Sequence, residues 1–274
     1  MSAIASISPT GKAFEKLGYY MERNIHKIAF MNAVELANVV DVSQGSVSRF
    51  CANLGYEGFR DFQRALRDLL ETRGKSNHNE NYLSKLDIDE IIDSEISNIE
   101  SLREVFADPS YIQMVHKLSS VHRIFILSSR MSGALLYPFA YNLVRIGKDV
   151  SVIDESDLLW EASDLFSKDK MVFFTAMLSL YPHSLIFKLE RLKEAGLQVT
   201  GITDSSFSPL TKLADPVIPL PITEHTPFDF YGTPSLFLGV LAQDIAAESS
   251  ETSQFMDNLR QVEEASYIYH HPKK

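Results

Sequence analysis

The chain has a single cysteine in 274 residues, Cys51, which excludes a disulfide framework and any metal site built on cysteine thiolates. No run of about 18 apolar residues is present, so no segment reads as a membrane-spanning helix. The opening residues MSAIASISPTGK lack the long apolar core of a secretory signal, and the expectation is a cytoplasmic protein without a membrane partner. There is no internal repeat and no low-complexity tract, which sets aside solenoids and disordered tails. His225, His270 and His271 have no partners at ligand spacing, and His183 stands alone. No catalytic residue, no metal and no cofactor is assigned from this pattern.

What the sequence does contain is ordinary globular material. With 45% apolar and 23% charged residues it has enough apolar content to bury a core, as one large domain or two smaller ones. A net charge of −10 argues at first against a nucleic-acid partner, but the charge is unevenly spread. Residues 1–75 carry four lysines, six arginines and eight acidic residues, a charge of +2; the remainder carries 16 basic and 28 acidic residues, a charge of −12. A first part at +2 permits DNA binding without demanding it, so a motif has to carry that argument.

The polar stretch ETRGKSNHNENY, residues 71–82, has no aliphatic side chain and marks a linker. It divides the chain into a domain over 1–73, a linker over 74–82 and a second domain over 83–274. Upstream every periodic segment looks helical. Ser8 and Pro9 start a helix whose stripe is Phe14, Leu17 and Met21; Asn32 caps a second with Val34, Leu36, Ala37 and Val40 inward; Phe59, Phe62, Leu66 and Leu69 or Leu70 line a last one. Downstream, amphipathic segments run from about Ile88 to Phe106 and onward from Pro109. Strands RIFIL, DVSVI, KMVFFT, QVTGIT and PVIPL then alternate with helices near 131–146, 156–166, 183–196 and 207–214. This order predicts an α/β fold, a five-stranded parallel sheet covered by helices on both faces, behind an all-α amino-terminal domain. Ligands of such sheets sit at the carboxyl ends of the strands.

Within the first domain, residues 42–50, VSQGSVSRF, open a helix with small polar residues. Val47, Phe50, Cys51 and Leu54 recur at the spacing of one buried face, and Gly45, Arg49 and Ala52 fall opposite, flanked by Ser46 and Ser48. A face with little bulk, no acid and one long donor suits close approach to a flat anion. As the second helix of a helix-turn-helix it would lie in a major groove, with Gln44, Ser46, Ser48 and Arg49 reaching bases, Gly45 letting the backbone approach, and Ser43 capping the helix or meeting a phosphate. A capped amphipathic helix in a small bundle would show the same apolar spacing with no DNA involved.

A resemblance separates these readings. The run NAVELANVVDVSQGSVSRFCANLGYEGFRDFQRAL resembles the amino-terminal domain of RpiR-type transcriptional regulators, matching the family at Leu36, Ala37, Ser43, Ser46, Val47, Arg49, Phe50, Leu54, Gly55, Tyr56, Gly58 and Phe59. That family couples its helix-turn-helix to a SIS domain, a parallel-sheet fold that binds phosphosugars, and the strand-helix order of residues 83–264 is similar to such a domain. The resemblance implies double-stranded DNA with a pseudo-palindromic operator as partner, a homodimer or higher homo-oligomer, and a phosphorylated sugar effector.

In the family the phosphate loops read G-x-G-x-S after the first strand and S-x-S-G-x-T after the third. Here the first is LSSRMSG, where Ser128, Ser129 and Ser132 offer hydroxyls and Arg130 a charge but the early glycines are missing. The second is TAMLSLYPHS, with Thr175 where the first serine belongs, Met177 and Leu178 replacing serine and glycine, and Ser179 out of step. Ser128, Ser129, Ser132, Thr175 and Ser179 are therefore the candidate effector contacts. ITDSSFSPL at 202–210 matches a further signature of the fold. Asp154, Glu155 and Asp157 after the second strand could contact sugar hydroxyls, or simply favour a helix start. TPSLFLGVLAQDIAA reads as core or as a subunit interface. Three functions stay open: a regulator whose SIS domain senses a phosphosugar, a regulator whose SIS domain is a dimerisation module without a ligand, and a SIS-type sugar-phosphate isomerase. The complete helix-turn-helix and the altered loops count against the isomerase.

Overall fold

The computed structural model describes residues 11–72, 88–127, 129–154, 157, 171–225, 228–249 and 252–266. The chain divides into two compact units, Met1–Leu86 with Ser205–Ser208 and Asp87–Asp204 with Pro209–Lys274. The helix start expected at Ser8 and Pro9, the linker over 74–82 and the helix expected over 156–166 lie outside the described residues.

The first unit is helical: α1 Lys12–Arg23, α2 Ile25–Ile28, α3 Ala33–Val40, α4 Gln44–Asn53 and α5 Phe59–Thr72. The boundaries of α3 and α4 follow from local chemistry. The Asn32 side chain accepts the main-chain N–H groups of Val34 and Glu35, both at 3.0 Å, while the Glu35 carboxylate accepts the Asn32 N–H at 2.7 Å. That reciprocal capping box fixes where α3 begins. Asp41 ends it in the left-handed region at φ +55, a conformation that aspartate tolerates better than bulkier residues. Two residues later the Ser43 hydroxyl accepts the Ser46 N–H at 3.1 Å and starts α4. Gly55, at φ +89, turns the chain out after α4, as its position in the sequence predicts.

The apolar stripes converge as their periodicity requires. Leu17, Met21, Leu36, Ala37, Val40, Val47, Phe50, Cys51, Phe59, Phe62 and Leu66 are all buried in one cluster, and Phe14 meets Phe50 edge-on with ring centres 5.4 Å apart. The short α2 was not expected; it buries Ile28 and Ala29 beneath α5, where Gln63 and Arg67 donate to the carbonyls of Ile28 and Ala29 at 3.0 and 2.6 Å.

The second unit is built on β1 Arg123–Leu127, β2 Asp149–Ile153, β3 Met171–Met177, β4 Val199–Thr203 and β5 Val217–Pro219, all parallel in the order β2-β1-β3-β4-β5. This is the expected five-stranded sheet. Helices α6 Ile88–Ala107, α7 Pro109–Ser119, α8 Met131–Arg145, α9 His183–Glu194, α10 Leu210–Leu213, α11 Gly232–Glu248 and α12 Thr252–Ala265 complete the unit. The inward residues of α7, α8 and α11 join Ile124, Ile126, Val172 and Phe174 in one core, and those of α9 join Phe125, Phe173 and Val199 in another. Because alternate strand residues feed opposite cores, every residue of β3 and β4 is buried. Gly201, opposite Thr175, sits where a Cβ would come within 2.2 Å of the Thr175 carbonyl oxygen, so the two central strands depend on a glycine there.

Two features differ from the sequence expectation. The helix expected over 207–214 is only the single turn α10, and an antiparallel hairpin, β6 Thr223–His225 with β7 Phe228–Phe230, follows the main sheet. Strands of three residues are too short for alternation to register. Helix α11 is core: Phe237, Leu238, Leu241, Ala242 and Ile245 are buried.

Burial pushes the Cys51 thiol up to about 12, so at pH 8 almost none of it is thiolate. A thiol reagent at that pH should leave native protein unmodified and label it only as denaturant opens the helical unit; rapid stoichiometric labelling of the native protein would contradict this placement of Cys51.

Candidate nucleic-acid interface and effector site

The turn between α3 and α4 leaves one side of α4 in solvent. Gln44, Gly45, Ser48, Arg49, Ala52 and Asn53 are exposed, while Val47, Phe50 and Cys51 are buried on the other side. An added Cβ at Gly45 would meet nothing nearer than the Ser43 hydroxyl at 3.8 Å, so packing within the protein does not require glycine at that position. What glycine provides is a low outer surface through which a partner's backbone can come close.

Ser46 departs from the expected exposed face. It is only 7% exposed, and its hydroxyl is 2.9 Å from that of Ser43 and 3.5 Å from the Arg49 guanidinium. Ser46 is therefore part of the start of the helix and lies against Arg49, with little of its surface on the open face. Ser43 has an exposed position but uses its hydroxyl as the cap. The long donors left on the open face are Gln44 and Arg49, the two side chains with geometry for bidentate contact with a base.

In the second unit the strands are parallel, so the chain leaves β1, β3 and β4 at the same edge, where the loops after β3 and β4 meet through Asp204. Ser128 lies outside the described residues. Ser129 is buried and donates its main-chain N–H to the Ser132 hydroxyl at 3.1 Å; that hydroxyl donates back to the Ser129 carbonyl at 2.6 Å. Ser129 and Ser132 thus hold each other at the start of α8. Arg130, the residue before α8, takes φ +51 and ψ −130, a region that glycine enters easily and arginine does not. The loop keeps a glycine-like backbone without the glycine.

After β3 the expected contacts divide. Thr175 is 0% exposed and donates its hydroxyl to the Leu127 carbonyl at 3.1 Å, which locks it inside the sheet and away from any ligand. Met177 and Leu178 are buried apolar bulk. Ser179, at φ +59, is the residue that turns toward the edge. Its main-chain N–H donates to the Asp204 carboxylate at 3.1 Å and its hydroxyl donates to the Asp229 carboxylate. Tyr181 also donates to Asp204, at 2.6 Å, and Tyr231 to Asp229, at 3.2 Å. Burial above all holds the Tyr231 phenol above its ordinary range; contact with Ser179 works the other way, and the charges of Asp229 and Asp204 add to the rise.

Asp204, Asp229, Tyr181 and Tyr231 were not singled out from the sequence. Asp204 stands within the ITDSSFSPL signature, but Asp229 lies on a hairpin with no legible turn signal, and its nearness to Ser179 is a contact across 50 residues. Of the three acidic residues expected after β2, Asp154 and Asp157 are described and Glu155 is not. Exposed His183 opens α9. Among the described residues no group of histidine, cysteine and carboxylate side chains could hold a metal ion, and no helix is long and apolar enough to cross a membrane.

Comparison with known proteins gives two family matches: the helix-turn-helix domain of the rpiR family over residues 11–73, and the SIS domain over residues 117–243. An uncharacterised HTH-type transcriptional regulator of Haemophilus influenzae is 24% identical over 217 residues, covering 76% of this chain and 74% of its own. The bifunctional protein glk of Burkholderia thailandensis is 28% identical over 186 residues, 66% of this chain; the match spans only 28% of the length of that relative. Among solved structures, the NanR protein of Vibrio vulnificus complexed with ManNAc-6P superposes with a TM-score of 0.61 at 20% identity, covering 94% of both chains. The sugar isomerase domain of an RpiR transcription factor from Sphaerobacter thermophilus superposes at 0.54 with 18% identity, over 63% of this chain and 97% of its own. At these identities the two structures establish the shared fold.

The strained residue in the loop after β1 yields a direct expectation. Arg130→Gly should raise the stability of the second unit by about 1 kcal/mol, because relief of an unfavourable backbone conformation exceeds the added freedom of the unfolded chain. An unchanged or lowered unfolding midpoint would mean that Arg130 makes contacts worth as much as its strain.

Proposed function

Because this chain belongs to the rpiR family of helix-turn-helix transcriptional regulators and carries a SIS domain behind that helix-turn-helix, we propose that α4 reads an operator while the parallel-sheet unit senses a phosphorylated sugar. The observation that carries the first half is the open face of α4. Gln44 and Arg49 stand in solvent with Gly45 and Ser48 between them, on a helix whose other side is fixed into a core by Val47, Phe50 and Cys51. Arg49 pairs with guanine and Gln44 with adenine in the major groove, each good pair worth roughly 1–3 kcal/mol of discrimination. The Ser43 region, at the helix start, meets the phosphate backbone. Two copies related by a two-fold axis would present two such helices to a pseudo-palindromic site.

The second half rests on the edge where the chain leaves the parallel strands β1, β3 and β4, and on the NanR neighbour whose complex contains ManNAc-6P. A sugar phosphate bound there changes operator affinity only to the extent that it binds one arrangement of the protein better than another. A specific observation favours a second reading, in which the SIS unit serves assembly without a ligand: Asp204 and Asp229 already hold both donors of Ser179, and Met177 and Leu178 fill the loop. The same crowding speaks against isomerase chemistry at this edge.

Two measurements test these assignments. Against duplexes selected from a random library by the wild-type protein, Arg49→Ala should lose about 2 kcal/mol of sequence-specific affinity at fixed salt with an unchanged melting temperature. Wild-type affinity in that variant would remove Arg49 from the interface. In a thermal-shift series with hexose and N-acetylhexosamine 6-phosphates, a true effector at about 100 times its dissociation constant should stabilise the protein by roughly 2.7 kcal/mol. The absence of any shift across the series would favour the assembly-only reading.

A further inference from the structure

The two donors of Ser179 are held by carboxylates of unequal standing. Asp204 follows β4 directly and is fixed to the frame of the sheet: it accepts from the Ser179 N–H and from Tyr181 at 2.6 Å, with the Thr203 hydroxyl 3.3 Å away. Thr203 in turn donates to the Met177 carbonyl at 2.8 Å, so this corner is bound to β3 at several points. Asp229 is different. It lies in the middle of β7, a three-residue strand whose ladder partner is β6 and which is no part of the five-stranded sheet. It reaches the sheet edge through the Ser179 hydroxyl, with Tyr231 two residues along supporting the same oxygen.

A phosphate at this edge wants what Asp229 already has. It would accept the Ser179 hydroxyl, and its negative charge would be set against a carboxylate at hydrogen-bonding range, an arrangement that strongly disfavours one of the two anions. The hydroxyl has one proton to donate, so carboxylate and phosphate compete for it. We propose that Asp229 is a built-in competitor for the effector's phosphate, occupying the Ser179 hydroxyl so that effector binding requires the β6–β7 hairpin to let go. The proposal rests on the reading of this unit as a sugar-phosphate sensor.

The hairpin is well placed to pass that release on. Its first strand is tied to α6 through Thr223, whose hydroxyl accepts from Asn98 at 3.0 Å. Its second strand leads within two residues to α11, where the Thr233 N–H donates to Glu95 of α6 at 3.2 Å. Release of Asp229 therefore acts on the contacts between α6 and the start of α11, not on the sheet. The loop after β3 becomes a balance between two anions, with the hairpin as its moving part.

Asp229→Asn tests the competition because it keeps the size and an acceptor for Ser179 while removing the charge. Isothermal titration with inorganic phosphate and with the hexose and N-acetylhexosamine 6-phosphates should give dissociation constants roughly tenfold lower or better in this variant than in the wild type. Asp257→Asn, at an exposed position on α12, removes the same charge elsewhere and should leave them unchanged. Hydrogen exchange in the wild-type protein gives a second readout that needs no variant: a saturating sugar phosphate should speed exchange in Phe228–Phe230 while β3 and β4 keep their protection. Wild-type binding with equal or weaker binding by Asp229→Asn, or a hairpin that gains protection, would overturn the competition and leave the sensor reading standing. If neither protein binds any of these anions, the sensor reading falls and the competition with it.

Discussion

The second unit depends on the close approach of β3 and β4. Both are buried on both faces, and they come together at Thr175 and Gly201, where no side chain larger than hydrogen fits against the Thr175 carbonyl. Strands packed this way have no free face, so a ligand would meet them at the carboxyl edge, where the chain leaves the sheet. The same constraint accounts for the behaviour of Thr175. A polar residue in the middle of a dry sheet has to satisfy its hydroxyl at once, and the Leu127 carbonyl on the neighbouring strand is within reach.

At that edge, backbone geometry and side-chain identity have parted. Arg130 and Ser179 both take positive φ values in the loops after β1 and β3. The loops thus keep a tightly turned course while their side chains change the chemistry. Ser129 and Ser132 are bound to each other; the serine after β3 gives its donors to Asp204 and Asp229. At Ser179 the donors are engaged and the partnering charges are negative. That electrostatic situation separates this chain from a simple phosphate cradle, and it makes a carboxylate the natural point of control.

The helical unit solves a different problem with local means. Asn32, Asp41, Ser43 and Gly55 set the ends of α3 and α4 by capping and by turn geometry, each through partners a few residues away. With the ends fixed, the stripe Val47, Phe50 and Cys51 settles which side of α4 faces inward, and the exposed side follows by exclusion. Ser46 marks the limit of that logic. It lies one turn from the buried stripe, yet its hydroxyl is drawn into the helix start by Ser43 and held near Arg49. A residue expected on the open face instead lies in the start of the helix, beside Arg49.

The sequence alone determined the helical unit, the five-stranded parallel sheet, the buried face of α4 and the exposure of Gln44 and Arg49, and only the tertiary structure set the strand order. These rest on contacts between near neighbours and on the periodicity of apolar residues, which a linear reading can see. Tertiary structure decided the rest: the hairpin Thr223–Phe230, the burial of Thr175, and the pairing of Ser179 with Asp204 and Asp229. Each of those joins residues 25 to 50 positions apart through single hydrogen bonds, or depends on three-residue strands. A polar side chain takes its partner from whatever the fold brings within about 3 Å, and no spacing along the chain encodes that meeting.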